Sequence, residues 1–231
     1  MWPSEGGISQ DVASAVAETG FSFTVTDENI LWKSLRGPCD RKNLYRSYLA
    51  EGLAVFFRDR ELSDLLGFKY HGLNEKDAVD DFVQRLEERR SFCDERSIVV
   101  LALDGDNPWA SYPQNGVPFL REFFDRLNKH DGLTPIFFED YLARFKPVQE
   151  IRLEPGTWHG NFSKWSGSPA KNAAWAVLGR ARQDCGPLEE IMIAEGSDWF
   201  WWSGEEQAGE FAFLFASYIQ EAYHQAGIRH E

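Results

Sequence analysis

The chain has 231 residues, of which 43% are hydrophobic and 15% aromatic, enough for one sizeable domain or a domain with a small helical addition. Its formal net charge of -13 argues against nucleic acid and anionic membrane surfaces as partners and is compatible with a neutral substrate. No apolar run approaches the roughly 20 residues that a membrane-spanning helix requires.

The cysteines and histidines point to a thiol-containing protein without a metal or cofactor. Cys39, Cys93 and Cys185 are widely spaced, which predicts free thiols in a reducing compartment. The five histidines are scattered and form no HExxH or Cys/His pattern. The first residues lack the basic and apolar regions of a secretory signal, so we expect a cytoplasmic location.

The first half of the chain alternates predicted helices with short apolar strands. In chain order these are a helix over 9–19, a strand over 21–26, a helix over 27–35, a strand over 53–57, and helices over 60–66 and 75–90. The second half becomes helical after a long loop. Its elements are a strand over 98–103, a helix over 119–129, a weaker strand over 134–138, a helix over 139–145, a loop over 146–168, and helices over 169–183, 188–194 and 209–226.

Alternating strands and helices predict an α/β protein with a parallel sheet. Polar pairs end three of the strands, namely Thr26-Asp27, Arg58-Asp59 and Asp104-Gly105. In barrels of this class, the carboxyl ends of the strands carry the chemistry. Three or four strands are too few to close an eight-stranded barrel, and Met1 lies where a strand would end, so we expect part of the fold to lie upstream.

Three segments combine acidic and aromatic residues: 2–6, 103–109 and 195–202. Two carboxylates flanked by aromatic rings suit glycosidic cleavage, although an acid at such a position is more often a helix cap or part of a solvated loop. The nine tryptophans are either core residues or flat surfaces on which sugar rings stack.

The same segments carry a resemblance to a known family. Residues 2–9 (WPSEGGIS) resemble the nucleophile motif of family 57 glycoside hydrolases, and residues 103–109 (LDGDNPW) resemble its acid/base motif. Residues 195–202 (EGSDWFWW) resemble the late aromatic motif. Two further stretches, 55–65 (VFFRDRELSDL) and 155–167 (PGTWHGNFSKWSG), are similar to segments of the amylase-like branch.

The resemblance implies the C-terminal part of an incomplete (β/α)7 barrel and a retaining mechanism that needs no cofactor. Glu5 would be the nucleophile and Asp104 the general acid and base, with carboxyl groups about 5 to 5.5 Å apart. The implied substrate-binding residues are Trp2, Arg58, Asp59, Trp109, Trp158, Asp198, Trp199 and Trp201. For Arg58 and Asp59 a buried ion pair is the alternative, and for residues 199–202 a role in the core.

The chain departs from the family pattern at several positions. Asp106 stands in place of Glu, Asn161 in place of Asp, and Ser203 and Gln207 in place of Tyr and His. The early His-Gln-Pro motif does not occur in this sequence. The substitutions affect the details of the sugar subsites and leave the catalytic pair intact. The missing motif is the largest departure, because the resemblance assigns it to the first barrel strands.

The expected organisation is a partial barrel over 1–145 that carries both carboxylates, followed by a loop and helical region over 146–231 that packs on it. The expected activity is that of an α-amylase-like enzyme on α-glucans or malto-oligosaccharides. A 4-α-glucanotransferase or branching enzyme is the first alternative. The second is an inactive fragment or glucan-binding subunit that needs an N-terminal segment or chain to complete the barrel.

Overall fold

The computed structural model describes residues 1–35, 37–38, 40–206 and 208–228. Cys39, one of the predicted free thiols, and Gln207, one of the departures from the family motif, lie outside the described residues. The described chain is a mixed α/β structure in which helices predominate.

The chain divides into two compact units, Met1–Trp158 and His159–Glu231. The first unit extends past residue 145, because residues 146–158 pair with the chain at Ile8 and at Leu49. Ile8 and Gly156 exchange backbone hydrogen bonds of 3.0 and 3.1 Å, and the Ile151 N–H donates to the carbonyl of Leu49 at 2.9 Å. Ile151 is also buried in the core of the first unit.

Three strands form the sheet of the first unit. They are β1 (Phe23–Asp27), β2 (Tyr48–Ala50) and β3 (Leu53–Arg58), in the spatial order β1-β3-β2. β1 and β3 are parallel, as the sequence predicts, and β3 is buried along its whole length. β2 is an unpredicted antiparallel partner of β3, joined to it through Glu51 and Gly52 with φ of 51° and 77°.

The predicted strand at 98–103 is extended but joins no ladder with the other described residues. Its even-numbered side chains pack in one core cluster and its odd-numbered ones in another, as alternation along an extended chain requires. Ile98 N–H donates to Tyr45, whereas the carbonyl of Val100 accepts from Asp59 N–H. These two hydrogen bonds join 98–103 to different parts of the chain, at Tyr45 and at Asp59. The segment therefore does not pair regularly with either of them. The weaker strand at 134–138 is also wrong, since these residues are irregular up to the helix that begins at Phe138.

All the helices predicted from periodicity are present. They are α1 (Gln10–Glu18), α2 (Glu28–Ser34), α3 (Arg60–Phe68), α4 (Glu75–Arg90), α5 (Val117–Asn128), α6 (Phe138–Arg144), α7 (Pro169–Cys185), α8 (Glu189–Ala194) and α10 (Gly209–Gln225). A short helix that was not predicted, α9 (Ser197–Trp202), lies between α8 and α10 in the chain. Side-chain oxygens of Ser9, Asp27 and Asp59 cap α1, α2 and α3. No helix in the described parts of the chain is long and apolar enough to cross a membrane.

An ion pair fixes the start of the extended segment. The Arg46 guanidinium donates to both carboxylate oxygens of Asp94 at 2.6 and 2.7 Å, and to Ser97 at 2.9 Å. These hydrogen bonds hold the pKa of Asp94 at about 2, below the ordinary value of 3.8. The carboxylate therefore contributes stability above about pH 3.8, and that contribution is lost as the pH falls through about 2.

We predict that Asp94→Asn lowers the free energy of unfolding at pH 7 by about 0.5 to 1 kcal/mol, because this pair is exposed and partly screened by solvent. The difference from wild type should shrink between pH 4 and pH 2, as measured by urea unfolding. Asp125→Asn is the control, since the ion pair of Asp125 within the described part of the chain is a 3.8 Å contact with the exposed Lys129. An effect of Asp94→Asn that did not depend on pH in this range would contradict the assignment.

Candidate active site

The carboxyl ends of the parallel strands meet at one edge of the sheet. Asp27 and Arg58, the last residues of β1 and β3, lie opposite each other in register. The extended segment 98–103 reaches the same edge, because the carbonyl of Ala102 accepts a hydrogen bond of 2.9 Å from Arg58 Nη1. Asp104 follows two residues later, so its loop begins at this edge.

The beginning of the chain runs beside β1. The amino group of Met1 donates to the carbonyl of Phe23 at 3.1 Å, and Val25 N–H donates to the carbonyl of Met1 at 2.9 Å. This is the bonding pattern of a parallel neighbour. These hydrogen bonds bring the following turn, Ser4–Gly6, to the same edge.

Glu5 lies in that turn in a conformation that side chains rarely adopt. Its φ and ψ are 57° and 23°, in the left-handed region, which costs about 1 to 2 kcal/mol for a residue with a Cβ. Trp158 holds Glu5 twice: its N–H donates to the Glu5 carbonyl at 3.1 Å, and its indole Nε1 donates to Glu5 Oε2 at 2.6 Å. Strain held in place by neighbouring contacts is a feature of functional sites.

Trp2 packs on the same turn. A Cβ on Gly6 would lie 2.7 Å from Cζ2 of the Trp2 ring, so glycine permits this close approach. The Arg58 guanidinium carbon lies 6.0 Å from the centre of the Trp2 ring, at the outer limit for a cation–π contact. Trp2 is 39% exposed, which leaves it accessible to a ligand.

Asp27 is the centre of the polar contacts at this edge, and the sequence reasoning missed it as a site residue. Its carboxylate is fully buried and accepts from Arg58 Nε at 2.8 Å and from Arg60 Nη2 at 2.7 Å. Arg60 Nη2 also donates to the carbonyl of Trp158. A signal was available in the sequence, since Asp27 directly follows the predicted strand over 21–26 and Arg60 is the first residue of the predicted helix over 60–66.

Asp59 belongs to a separate buried network. It is fully buried, caps α3 through Leu62 N–H, and accepts from Tyr45, Arg41 and Arg89. A direct substrate contact is not supported, because its carboxylate has no accessible surface. The alternative prediction, an ion pair between Arg58 and Asp59, is wrong. Arg58 pairs with Asp27, whereas Asp59 pairs with Arg89.

Asp104 and Trp109 lie on either side of the loop after the extended segment. Asp104 is exposed, and one of its carboxylate oxygens accepts from Asn107 Nδ2 at 3.3 Å. Asp106, the departure from the family pattern, caps the following turn through Asn107 N–H. Trp109 is half-buried against Tyr112 and Phe119, with ring centres 5.2 and 6.3 Å away, so part of its surface serves the core.

Two further acids near the edge have unusual protonation equilibria. Burial raises the pKa of Glu28, which accepts a hydrogen bond from the backbone N–H of Arg60 at 3.2 Å. Burial also raises the pKa of Asp64, 3.6 Å from Arg58 Nη2. Within the described parts of the chain, no group of three or more His, Cys, Asp or Glu side chains could hold a metal ion.

The remaining predicted site residues lie on α9 of the second unit. Asp198 is exposed. The indole of Trp199 donates to the carbonyl of Ile193 at 2.8 Å, and its ring contacts aromatic residues of α10. Trp201 lies 5.4 Å from Trp165 between ring centres, with Lys164 Nζ 4.7 Å from its ring centre. Trp199 and Trp201 therefore pack against neighbouring side chains, and substrate binding by these two residues and Asp198 stays a prediction.

The chain belongs to glycosyl hydrolase family 57, whose family model matches residues 1–154. The motif resemblance to this family is thus confirmed. The matched region contains both predicted catalytic carboxylates, Glu5 and Asp104, and ends before Trp158 and the aromatic motif at 195–202.

Individual proteins of known sequence or structure are also similar to this chain. The chain is 25% identical over 184 residues to an α-amylase of Pyrococcus furiosus, a match that covers 75% of this chain and 26% of that protein. The crystal structure of a 4-α-glucanotransferase from Thermococcus litoralis superposes with a TM-score of 0.74 at 17% identity, covering 96% of this chain and 41% of that one. A family 57 branching enzyme from Thermococcus kodakaraensis, in complex with glucose and additives, gives 0.72 at 18%, covering 92% and 53%. The chain spans about a quarter of the length of the curated relatives that it matches.

The contact between Trp2 and Gly6 can be tested with a matched pair of glycines. Gly6 and Gly20 both have positive φ, +57° and +88°, but a Cβ on Gly20 would meet nothing within 4 Å. We predict that Gly6→Ala shifts the indole resonance of Trp2 in ¹⁵N–¹H NMR spectra, and that Gly20→Ala does not. Both variants should lose about 1 to 2 kcal/mol of stability from the backbone conformation. Identical spectra for the Trp2 indole in the two variants would refute the close approach.

Proposed function

We propose that this chain carries the reacting carboxylates of a retaining glycoside hydrolase that acts on α-glucans, on part of a (β/α)7 barrel. The observation that carries the proposal is the state of Glu5. A carboxylate in the family's nucleophile motif has a left-handed backbone and accepts the indole N–H of Trp158 at the carboxyl edge of a parallel strand pair.

The proposed reaction has two steps, both at the anomeric carbon of the sugar. In the first, a carboxylate oxygen of Glu5 forms a bond to this carbon while the glycosidic bond breaks, and Asp104 gives its proton to the leaving oxygen. In the second, Asp104 takes a proton from water, whose oxygen attacks the same carbon and releases Glu5. Two inversions regenerate the original α configuration.

The surroundings of the two acids fit their proposed roles. The Trp158 indole orients the Glu5 carboxylate, and a fixed nucleophile lowers the entropic part of the barrier. The exposed ring of Trp2 offers a flat apolar surface of the kind that sugar rings cover. Exposure of Asp104 allows it to meet both the leaving group and water.

Support for an α-glucan as substrate comes from the relatives, which are named as an α-amylase and a 4-α-glucanotransferase. The net charge of -13 also fits a neutral substrate. Transfer to a sugar hydroxyl instead of water is the second candidate, favoured by the match to the 4-α-glucanotransferase. Reducing sugars as the sole products would indicate hydrolysis, whereas longer or branched glucans would indicate transfer.

We predict that Glu5→Gln reduces turnover of malto-oligosaccharides by about a thousandfold or more, because the amide cannot act as the nucleophile. Turnover is measured as product release by chromatography, and NMR of the first product formed by the wild type should show the α anomer. Glu18→Gln makes the same change at an exposed acid at the end of α1 and should leave turnover unchanged.

Circular dichroism must show that both variants are folded. Turnover by folded Glu5→Gln at the wild-type rate would refute the proposal. A β anomer as the first product would refute retention, while tryptophan-dependent glucan binding without turnover by the wild type would favour the glucan-binding subunit.

A further inference from the structure

We infer that Arg60 is a positioning residue that holds Trp158 against the nucleophile Glu5. This inference rests on the proposed function of Glu5 and adds a residue that the family motif and the sequence analysis did not assign. The contacts form one continuous chain: the Asp27 carboxylate binds Arg60, Arg60 binds the Trp158 carbonyl, and Trp158 binds Glu5.

Arg60 is itself fixed by a fork of hydrogen bonds. Its Nη2 donates to Asp27 Oδ1 at 2.7 Å, and its Nε lies 3.3 Å from Oδ2 of the same carboxylate. Asp27 is fully buried, so its charge requires these arginine partners. Arg60 is also the first residue of α3, and its backbone N–H donates to Glu28. Backbone and side chain are therefore both anchored.

The second Nη2 hydrogen bond is directed at the Trp158 carbonyl. Trp158 ends the first unit and follows a long irregular segment, so its position depends on such contacts. From there its N–H and indole N–H both reach Glu5, at 3.1 and 2.6 Å. A displacement of the Trp158 backbone would thus move both donors away from the nucleophile.

The chemistry of arginine separates this role from simple neutralisation of Asp27. A planar guanidinium can bond a carboxylate through two nitrogens and still direct an N–H at a carbonyl. The lysine ammonium retains the charge beside Asp27 but lacks the fixed fork. Arg60→Lys therefore removes the geometry while it keeps the ion pair.

The test follows the Trp158 indole N–H directly, by hydrogen exchange in ¹⁵N–¹H NMR spectra of the full chain, with the resonance assigned from Trp158→Phe. We expect Arg60→Lys to speed exchange at this position about tenfold or more. The indoles of Trp175 and Trp199 serve as internal references, because each donates at 2.8 Å to a backbone carbonyl in the second unit.

Arg126→Lys is the matched control. The side chains of Arg126 and Arg60 are each 33% exposed, and among the residues that the structure describes Arg126 pairs with two partly exposed acids, Asp80 and Glu122. It should leave all three indoles unchanged. Faster exchange of the Trp158 indole alone in Arg60→Lys supports the inference, and unchanged exchange overturns it. If Arg60→Lys does not fold, Arg60→Gln, whose shorter side chain also lacks the guanidinium fork, must give the same selective change.

Kinetics then distinguish this inference from the proposed function. If the wild type is active, Arg60→Lys should lower kcat about 10- to 100-fold and change KM much less, because the nucleophile is misplaced while sugar contacts persist. An active wild type with unaltered Trp158 exchange in Arg60→Lys would overturn only the role of Arg60. If exchange of the Trp158 indole alone is faster in Arg60→Lys but the wild type has no turnover, the result counts against the proposed function and not against the role of Arg60.

Discussion

The buried carboxylate of Asp27, held between Arg58 and Arg60, is the interaction on which the candidate site depends. Removing an unpaired carboxylate from water is very costly, so the folded chain must bring both guanidinium groups to this point. Each arginine then has donors left for a second partner. Arg58 reaches the segment that leads to Asp104, and Arg60 reaches Trp158, which holds Glu5.

This arrangement explains how residues far apart in sequence become neighbours at one edge. Parallel pairing of β1 with β3 puts Asp27 and Arg58 in register, and hydrogen bonds of Met1 bring the Glu5 turn alongside. The strained backbone conformation of Glu5 persists because Trp158 donates hydrogen bonds to both its carbonyl and its carboxylate. The apolar clusters on both faces of β3 provide the rigid support beneath this edge.

Much of the local structure could be predicted from the sequence, because helix periodicity and capping are local signals. The helix at Glu75–Arg90 has the predicted bounds, and Ser9, the first residue of the helix predicted over 9–19, caps α1. Strand pairing depends on distant parts of the chain. The apolar pattern at 98–103 therefore predicted a strand, although the segment forms no ladder with the other described residues. β2 was missed because a three-residue strand has too little pattern to be recognised.

The same distinction applies to the site. The motif identified the family from the segments around Glu5 and Asp104, but it could not show which charges pair in space. Arg58 and Asp59 are adjacent in sequence, yet they alternate across the end of β3 and join different buried networks. Glu5 is bound by Trp158 and Asp27 by Arg60. These partners are 153 and 33 residues away along the chain, and only the fold brings them into contact.

The most direct test of the central claim, that Glu5 and Asp104 act on one glycosidic bond, is a crystal structure after reaction with a fluorinated α-glucosyl fluoride that traps the glycosyl-enzyme. We expect the sugar to be bonded to a Glu5 carboxylate oxygen, with the carboxyl groups of Glu5 and Asp104 about 5 to 5.5 Å apart. Attachment to a different residue, or a separation on the order of 10 Å, would contradict it.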